Sequence, residues 1–202
     1  EAMNEADTRA ELIDKQLAAA GWSTGGEVRV RREQITEGEI KAGGIRVGKL
    51  IADYVLSYKN RKLAVIEAKS NKVDVGEGVA QAKLYAQKLN LENSFAANGN
   101  EIYQICHKTG TEGLVERFPT PEELWKKTFA EPNEWLEKFN TIPFEDLNGT
   151  KQSRYYQEVA VNNVMEAIAN DKKRILLTLA TGTGKTFIAF QIAWKLFKSR
   201  WN

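Results

Sequence analysis

The chain holds a single cysteine, Cys106, and a single histidine, His107, in 202 residues. A lone cysteine excludes an internal disulfide and a cysteine-rich zinc site, and it suits a reducing compartment. A lone histidine leaves histidine-centred nucleases, catalytic triads and zinc enzymes without their partners. Cys106 reads as a small buried hydrophobe and His107 as a surface residue at a strand end. Nowhere do 18 apolar residues run together, so no membrane span is expected. The opening residues, up to Glu11, are polar and acidic, unlike a secretion or organelle leader, and the expected location is the cytoplasm. A strong charge of one sign is also missing, because 29 basic side chains against 27 acidic ones leave only +2. Affinity for nucleic acid must therefore come from local patches.

What is present suffices for one substantial core, or for one domain and part of another, since 42% of the residues are hydrophobic. Leu12, Ile13, Leu17 and Ala20 recur at helical spacing over residues 8–20, and Gly21 stops that helix. Strands are expected over 28–32, 49–57 and 62–69, the last two joined by a polar turn at 58–61. Val79, Ala82, Ala86 and Leu89 form an apolar stripe on a helix over 77–89 that must lie on a sheet. The Asn98 and Gly99 pair favours a tight hairpin into a strand over 101–107. Thr120, Pro121 and Glu123 form a capping box that opens another helix. Pro132, Pro143 and Gly149 follow, with a linker expected near 148–151, then a helix over 153–169, a strand over 174–179 and a helix after Gly184.

The sharpest feature is Asp53, followed fourteen residues later by Glu67 and then by Lys69, both carboxylates closing apolar runs. If the strands form a hairpin whose turn centres on Asn60, residues whose numbers sum to 120 are opposed, and Asp53 meets Glu67. Period-two alternation brings Lys69 to that face and turns Ala68 away. Two carboxylates across a hairpin sit about 5 Å apart at Cβ and repel unless a cation lies between them. Oxygen-only ligation with retained waters and a substrate phosphate is what Mg²⁺ prefers. Lys69 would then orient the attacking water and stabilise charge developing on a phosphodiester. Gln81 and Tyr85, one helical turn apart, flank the apolar stripe and can face the same edge.

In that order, Asp53, Glu67, Lys69, Gln81 and Tyr85 resemble the PD-(D/E)xK nucleases in the form carried by type I restriction endonuclease R subunits. Thr8 and Arg9 through Leu12, Ile13 and Asp14, the segment Ala20 to Trp22, Ala97 to Gly99, and Glu122 to Trp125 are similar to that subunit's amino-terminal domain. The resemblance implies an α/β (α+β) fold with a restriction-endonuclease-like core, a central mixed sheet flanked by helices. It implies metal ligation by Asp53 and Glu67, catalysis by Lys69, and accessory roles for Gln81 and Tyr85. Ala52 stands where the pattern's name places proline, and many relatives add a carboxylate from the first helix, for which Glu5 and Glu11 compete.

A second motif runs from Ala180 to Thr186 between an apolar run and an expected helix. There the glycines let backbone amides approach phosphates, Lys185 reaches the β and γ phosphates, and Thr186 holds Mg²⁺. Thr181, Gly182, Thr183, Gly184, Lys185 and Thr186 resemble motif I of superfamily 2 helicases and translocases, with Leu179 departing from the strict pattern. Arg154 to Gln157 resembles their adenine-reading glutamine motif. Residues 1–150 are therefore expected to form the nuclease domain, and 151–202 a truncated start of a RecA-like ATPase. That stretch lacks the acidic strand and the arginine that γ-phosphate chemistry requires, so ATP belongs to a longer parent protein.

The function implied is Mg²⁺-dependent cleavage of double-stranded DNA, coupled to ATP-driven translocation, with separate specificity and modification subunits as partners. Two alternatives stand beside it. One is the nuclease domain of another helicase-linked enzyme, such as a type III restriction subunit or a repair nuclease, and the other is a catalytically silent DNA-binding or docking module. Arg29, Arg31, Arg32, Lys41, Arg46 and Lys49 could line a DNA-facing rim or simply form a solvated strand face.

Overall fold

The computed structural model describes residues 2–34 and 48–202. Lys41 and Arg46 lie outside the described residues. The chain forms two compact units, one reaching to Ala130 and one from Glu131 to Asn202.

The first unit is built on a six-stranded sheet in chain order: β1 (Val28–Gln34), β2 (Ile51–Tyr58), β3 (Arg61–Ala68), β4 (Asn93–Ala97), β5 (Ile102–Cys106) and β6 (Glu112–Val115). All neighbours are antiparallel except β3 and β4, so the sheet is mixed, as expected. A parallel pair needs a crossover, and the chain supplies a 3₁₀ turn, Val75–Gly78, running into α3 (Val79–Leu89). Ala82, Tyr85, Ala86 and Leu89 are buried along α3, close to the expected stripe.

The opposite face carries the main core. Tyr54, Leu56, Ala64, Ile66, Phe95 and Ala97 point into it from the strands, and Ile13, Leu17, Leu124 and Trp125 close it from the helices. Those helices are the first one and α4 (Pro121–Thr128), whose Thr120 and Glu123 make the expected capping box. The first helix starts earlier than its apolar spacing suggests and is not uniform. It runs as α1 (Glu5–Thr8), a π-helical turn over Arg9–Ile13, and α2 (Asp14–Ala19). The Asp14 N–H bonds to the Arg9 carbonyl across that turn, one residue further than in an α-helix.

The second unit contains α5 (Glu134–Thr141), α6 (Tyr155–Ala169) and α7 (Lys185–Lys198). Phe139, Ala160, Val161, Met165 and Ile188 make its core. The stretch expected to be a linker, 148–151, is part of an exposed turn inside this unit, because α5 packs with α6 ahead of it. The strand expected over 174–179 is not formed, and the segment is irregular. A strand exists only when another pairs with it, and the second unit has none among the described residues. Leu176 is accordingly 92% exposed despite its apolar context. Among the described residues no helix is long and apolar enough to cross a membrane.

Candidate active site

The β2–β3 hairpin turns on Lys59 and Asn60, which both adopt positive φ (50° and 60°), as a two-residue turn between right-twisted strands requires. Tyr58 pairs with Arg61 and Ser57 with Lys62, but then Leu56 pairs with Ala64. Leu63 is therefore an extra, bulged residue. Beyond it the sum-to-120 register holds through Val55–Val65 and Tyr54–Ile66, which makes Asp53 and Glu67 the next opposed positions. A second irregularity lies on the other side of β2. Arg31 pairs with Val55 and Glu33 with Ala52, so Asp53 and Tyr54 together face Arg32. Bulges of this kind re-aim side chains beside active sites. Here Tyr54 enters the main core while Asp53 stays on the α3 face.

Asp53 and Glu67 are buried, at 7% and 4% exposure. Asp53 is held at both oxygens: Oδ1 accepts from Arg9 Nη1 at 2.8 Å, and Oδ2 from the Ala68 N–H at 3.0 Å. Glu67 differs. Its Oε1 lies 3.5 Å from Lys69 Nζ, and its Oε2 is buried with no hydrogen-bond partner among the described residues. Burial, then the charge of Asp53, pushes the Glu67 carboxyl up to about 7; Lys69 opposes this and Glu5 adds to it. Lys69 is fixed at its backbone, where its N–H donates to the Ala97 carbonyl at 2.8 Å.

Helix α3 closes over this pair at Gly78. A Cβ there would stand 3.4 Å from the Cγ atoms of both Glu67 and Lys69 and 3.2 Å from Ala96 Cβ. One turn and more along the helix, Gln81 Nε2 donates to the hydroxyl of Tyr85, which is 1% exposed. Burial raises the Tyr85 hydroxyl pKa, the Gln81 contact lowers it, and the charges of Glu67, Asp53 and Lys69 all act on it. The five residues singled out in the sequence therefore converge on one face.

Three contacts beyond that set shape the site. Ser70 Oγ donates to the Met3 carbonyl (2.6 Å), the Met3 N–H to Asn71 Oδ1 (2.8 Å), and the Asn71 N–H to Thr8 Oγ1 (3.1 Å). They pin the amino-terminal segment to the turn that follows Lys69. Glu5, in that segment, is near enough for its charge to act on Glu67, whereas Glu11 faces outward and pairs with Lys15 at 3.0 Å. Arg9 was missed in the sequence, since its aim depends on the π-helical turn, which no apolar periodicity marks.

Among the described residues no three acidic, histidine or cysteine side chains form a complete metal-ligand group. The donor set still fits Mg²⁺, which takes one or two carboxylates and fills its remaining positions with water and phosphate. A buried carboxylate oxygen with no partner among the described residues, beside a second carboxylate, is the kind of donor such a cation takes. Of the basic rim residues, Arg31, Arg32 and Lys49 are exposed, and Arg29 donates to the Gly26 and Val28 carbonyls.

In the second unit, Gly182 and Gly184 adopt φ of +79° and +81°, and Lys185 begins α7, so residues 181–184 form a loop at a helix amino terminus. Thr183 Oγ1 donates to the Ala180 carbonyl at 2.7 Å and shapes the loop. Gln157 is buried against it: Nε2 donates to the Thr183 carbonyl (2.9 Å) and Oε1 accepts the Arg154 N–H (3.0 Å). Lys185 and Thr186 follow in the first turn of the helix, where backbone amides and dipole favour an anion.

Residues 13–121 match the family model described as the second domain of the type I restriction enzyme EcoKI endonuclease subunit. Residues 150–202 match that of the type III restriction enzyme res subunit. The chain is 35% identical, over 98% of its length, to the type I restriction enzyme EcoAI endonuclease subunit of Escherichia coli, of which it covers 26%. It is 28% identical, over 94% of its length, to the EcoKI endonuclease subunit of strain K12, of which it covers 21%. It thus spans about a quarter of the curated relatives it matches. A solved fragment described as an HsdR subunit of a type I restriction enzyme from Vibrio vulnificus YJ016 superposes with a TM-score of 0.86 at 37% identity, covering 100% of this chain and 39% of that one.

Proposed function

The chain belongs to the family of type I restriction enzyme endonuclease subunits, and from that premise we propose that its first unit is a Mg²⁺-dependent DNA endonuclease domain working inside a larger translocating enzyme. The observation that carries this reading is the buried Oε2 of Glu67, which has no hydrogen-bond partner among the described residues, on the face shared with Asp53 and Lys69.

Asp53 and Glu67 would hold the cation. Bound there, Mg²⁺ supplies charge neutralisation at the scissile phosphate and makes water easier to deprotonate. Lys69 Nζ, already beside Glu67, orients the attacking water and stabilises negative charge growing on the phosphate oxygens. Gln81 and Tyr85 fix the side of the site under α3, where a strand of DNA would lie. Arg31, on the same sheet face as Val55 and exposed at the edge strand, offers a phosphate contact that positions the duplex.

The second unit supports a nucleotide role for the parent enzyme. Its loop glycines, Lys185 and Thr186 suit the phosphates of ATP with Mg²⁺, and Gln157 ties the preceding helix to that loop. Double-stranded DNA and the specificity and modification subunits are the partners this reading requires.

The test is cleavage of supercoiled plasmid by the 202-residue protein in Mg²⁺ or Mn²⁺, alongside Asp53→Ala and Lys69→Ala. Nicking by the wild type that both substitutions abolish is expected. Equal nicking by all three proteins would remove the site assignment.

A further inference from the structure

Arg9 has no part in the chemistry just described, yet its guanidinium forms an ion pair with Asp53. Arg9 Nη1 lies 2.8 Å from Asp53 Oδ1, with the arginine side chain 20% exposed and the carboxylate 6%. The π-helical turn aims it. Arg9 and Asp14 bound that turn through a single backbone hydrogen bond, and their side chains reach the two consecutive bulge residues of β2, Arg9 to Asp53 and Asp14 to the Tyr54 hydroxyl at 2.6 Å. Each carboxylate has a cationic neighbour, Arg9 for Asp53 and Lys69 for Glu67, but both oxygens of Asp53 are hydrogen-bonded while Glu67 Oε2 has no partner among the described residues.

We propose that Arg9 is a resident counter-ion of Asp53 that opposes binding of the divalent cation. The inference rests on the metal-site reading above. A guanidinium beside the carboxylate repels a doubly charged ion held by the same group, and burial leaves little water to screen the repulsion. The arginine thus stabilises the metal-free fold while weakening the site's hold on metal. The two effects have opposite signs, which separates a counter-ion from a residue that merely orients Asp53. An orienting residue would strengthen metal binding.

Calorimetric titration of Mn²⁺ into the whole chain tests this, with wild type, Arg9→Gln, Arg9→Lys and Asp53→Asn compared at low ionic strength. Arg9→Gln is expected to bind Mn²⁺ about tenfold tighter than wild type while melting at a lower temperature without metal. Arg9→Lys, which keeps the charge, stays near wild type, and Asp53→Asn loses the binding. Equal or weaker Mn²⁺ affinity in Arg9→Gln overturns the counter-ion role even when Asp53→Asn abolishes binding, which would leave the metal site standing. If Asp53→Asn binds as wild type does, or no variant binds Mn²⁺, the metal-site reading itself fails and takes this inference with it.

Discussion

Asp53 accepts a hydrogen bond at 3.0 Å from the backbone N–H of Ala68, the residue that separates Glu67 from Lys69. One carboxylate is thereby tied to the middle of the Glu-x-Lys triplet, so the three charged groups move as a unit with the β2–β3 ribbon. Removing the Asp53 charge should be read most directly at Glu67. In Asp53→Asn the Glu67 carboxyl is expected to titrate below its present value of about 7 and still above an ordinary glutamate, because burial, the larger cause, remains. A ¹³C NMR titration of the Glu67 side chain measures it.

Glu67 also sets a pH dependence. Unfolded, it ionises near 4.5; folded, near about 7. Between those values the folded chain keeps a proton that the unfolded chain has released, so metal-free stability falls as pH rises across the window, by up to ~3 kcal/mol. Glu67→Gln should flatten that segment in denaturant unfolding with a chelator present. Metal needs the ionised carboxylate, so stabilisation by Mg²⁺ should grow over the same window. A stability curve of unchanged slope in Glu67→Gln would count against both statements.

Gly78 is held by space and not by conformation. Its φ of −87° is open to any residue, but a Cβ would crowd Ala96 Cβ at 3.2 Å and touch the Cγ atoms of Glu67 and Lys69 at 3.4 Å. Gly78→Val is expected to cost about 1–3 kcal/mol by overpacking and to lower metal affinity by shifting the two charged side chains. Thermal unfolding with and without Mg²⁺ checks both.

The two loop glycines of the second unit should behave differently. Gly182 and Gly184 share positive φ, but a Cβ on Gly184 would fall 2.5 Å from Gln157 Nε2, whereas one on Gly182 meets nothing within 4 Å. Gly184→Ala is expected to weaken binding of a fluorescent ATP analogue about tenfold, combining ~1–2 kcal/mol of backbone strain with displacement of Gln157. Gly182→Ala should lose less. Equal losses would remove Gln157 from the account.

Much of the site was legible because its signals are periodic. Alternation along β3 and helical spacing along α3 bring Glu67, Lys69, Gln81 and Tyr85 to one face; the opposition of Asp53 and Glu67 expected from a turn centred on Asn60 is reached only through the bulge at Leu63, because the turn itself pairs Tyr58 with Arg61. Alternation and spacing do not encode departures from themselves. The π-helical turn that directs Arg9 depends on one extra residue in a helix, and the anchoring of the amino-terminal segment depends on contacts from Ser70 and Asn71. In the second unit, Pro132 and Pro143 read as loop signals, yet Asn133 caps α5 between them. The apolar run over 174–179 has strand composition, but composition cannot supply the neighbour to which a strand must bond.

The hairpin has slack of a single residue, and in one direction only. Counted straight from its turn, Asp53 would stand opposite Ile66; because Leu63 is set aside, it stands opposite Glu67 instead. A shortening by one between Arg61 and Ala64 could be absorbed by straightening the ribbon, with every later pairing kept. A lengthening by one has nowhere to go, and would roll Glu67 toward the oily side while lifting Ile66 into the place of the acid and Ala68 into that of Lys69. An added apolar residue some distance from the charged groups can therefore dismantle their shared face, with each of those charges still in the chain.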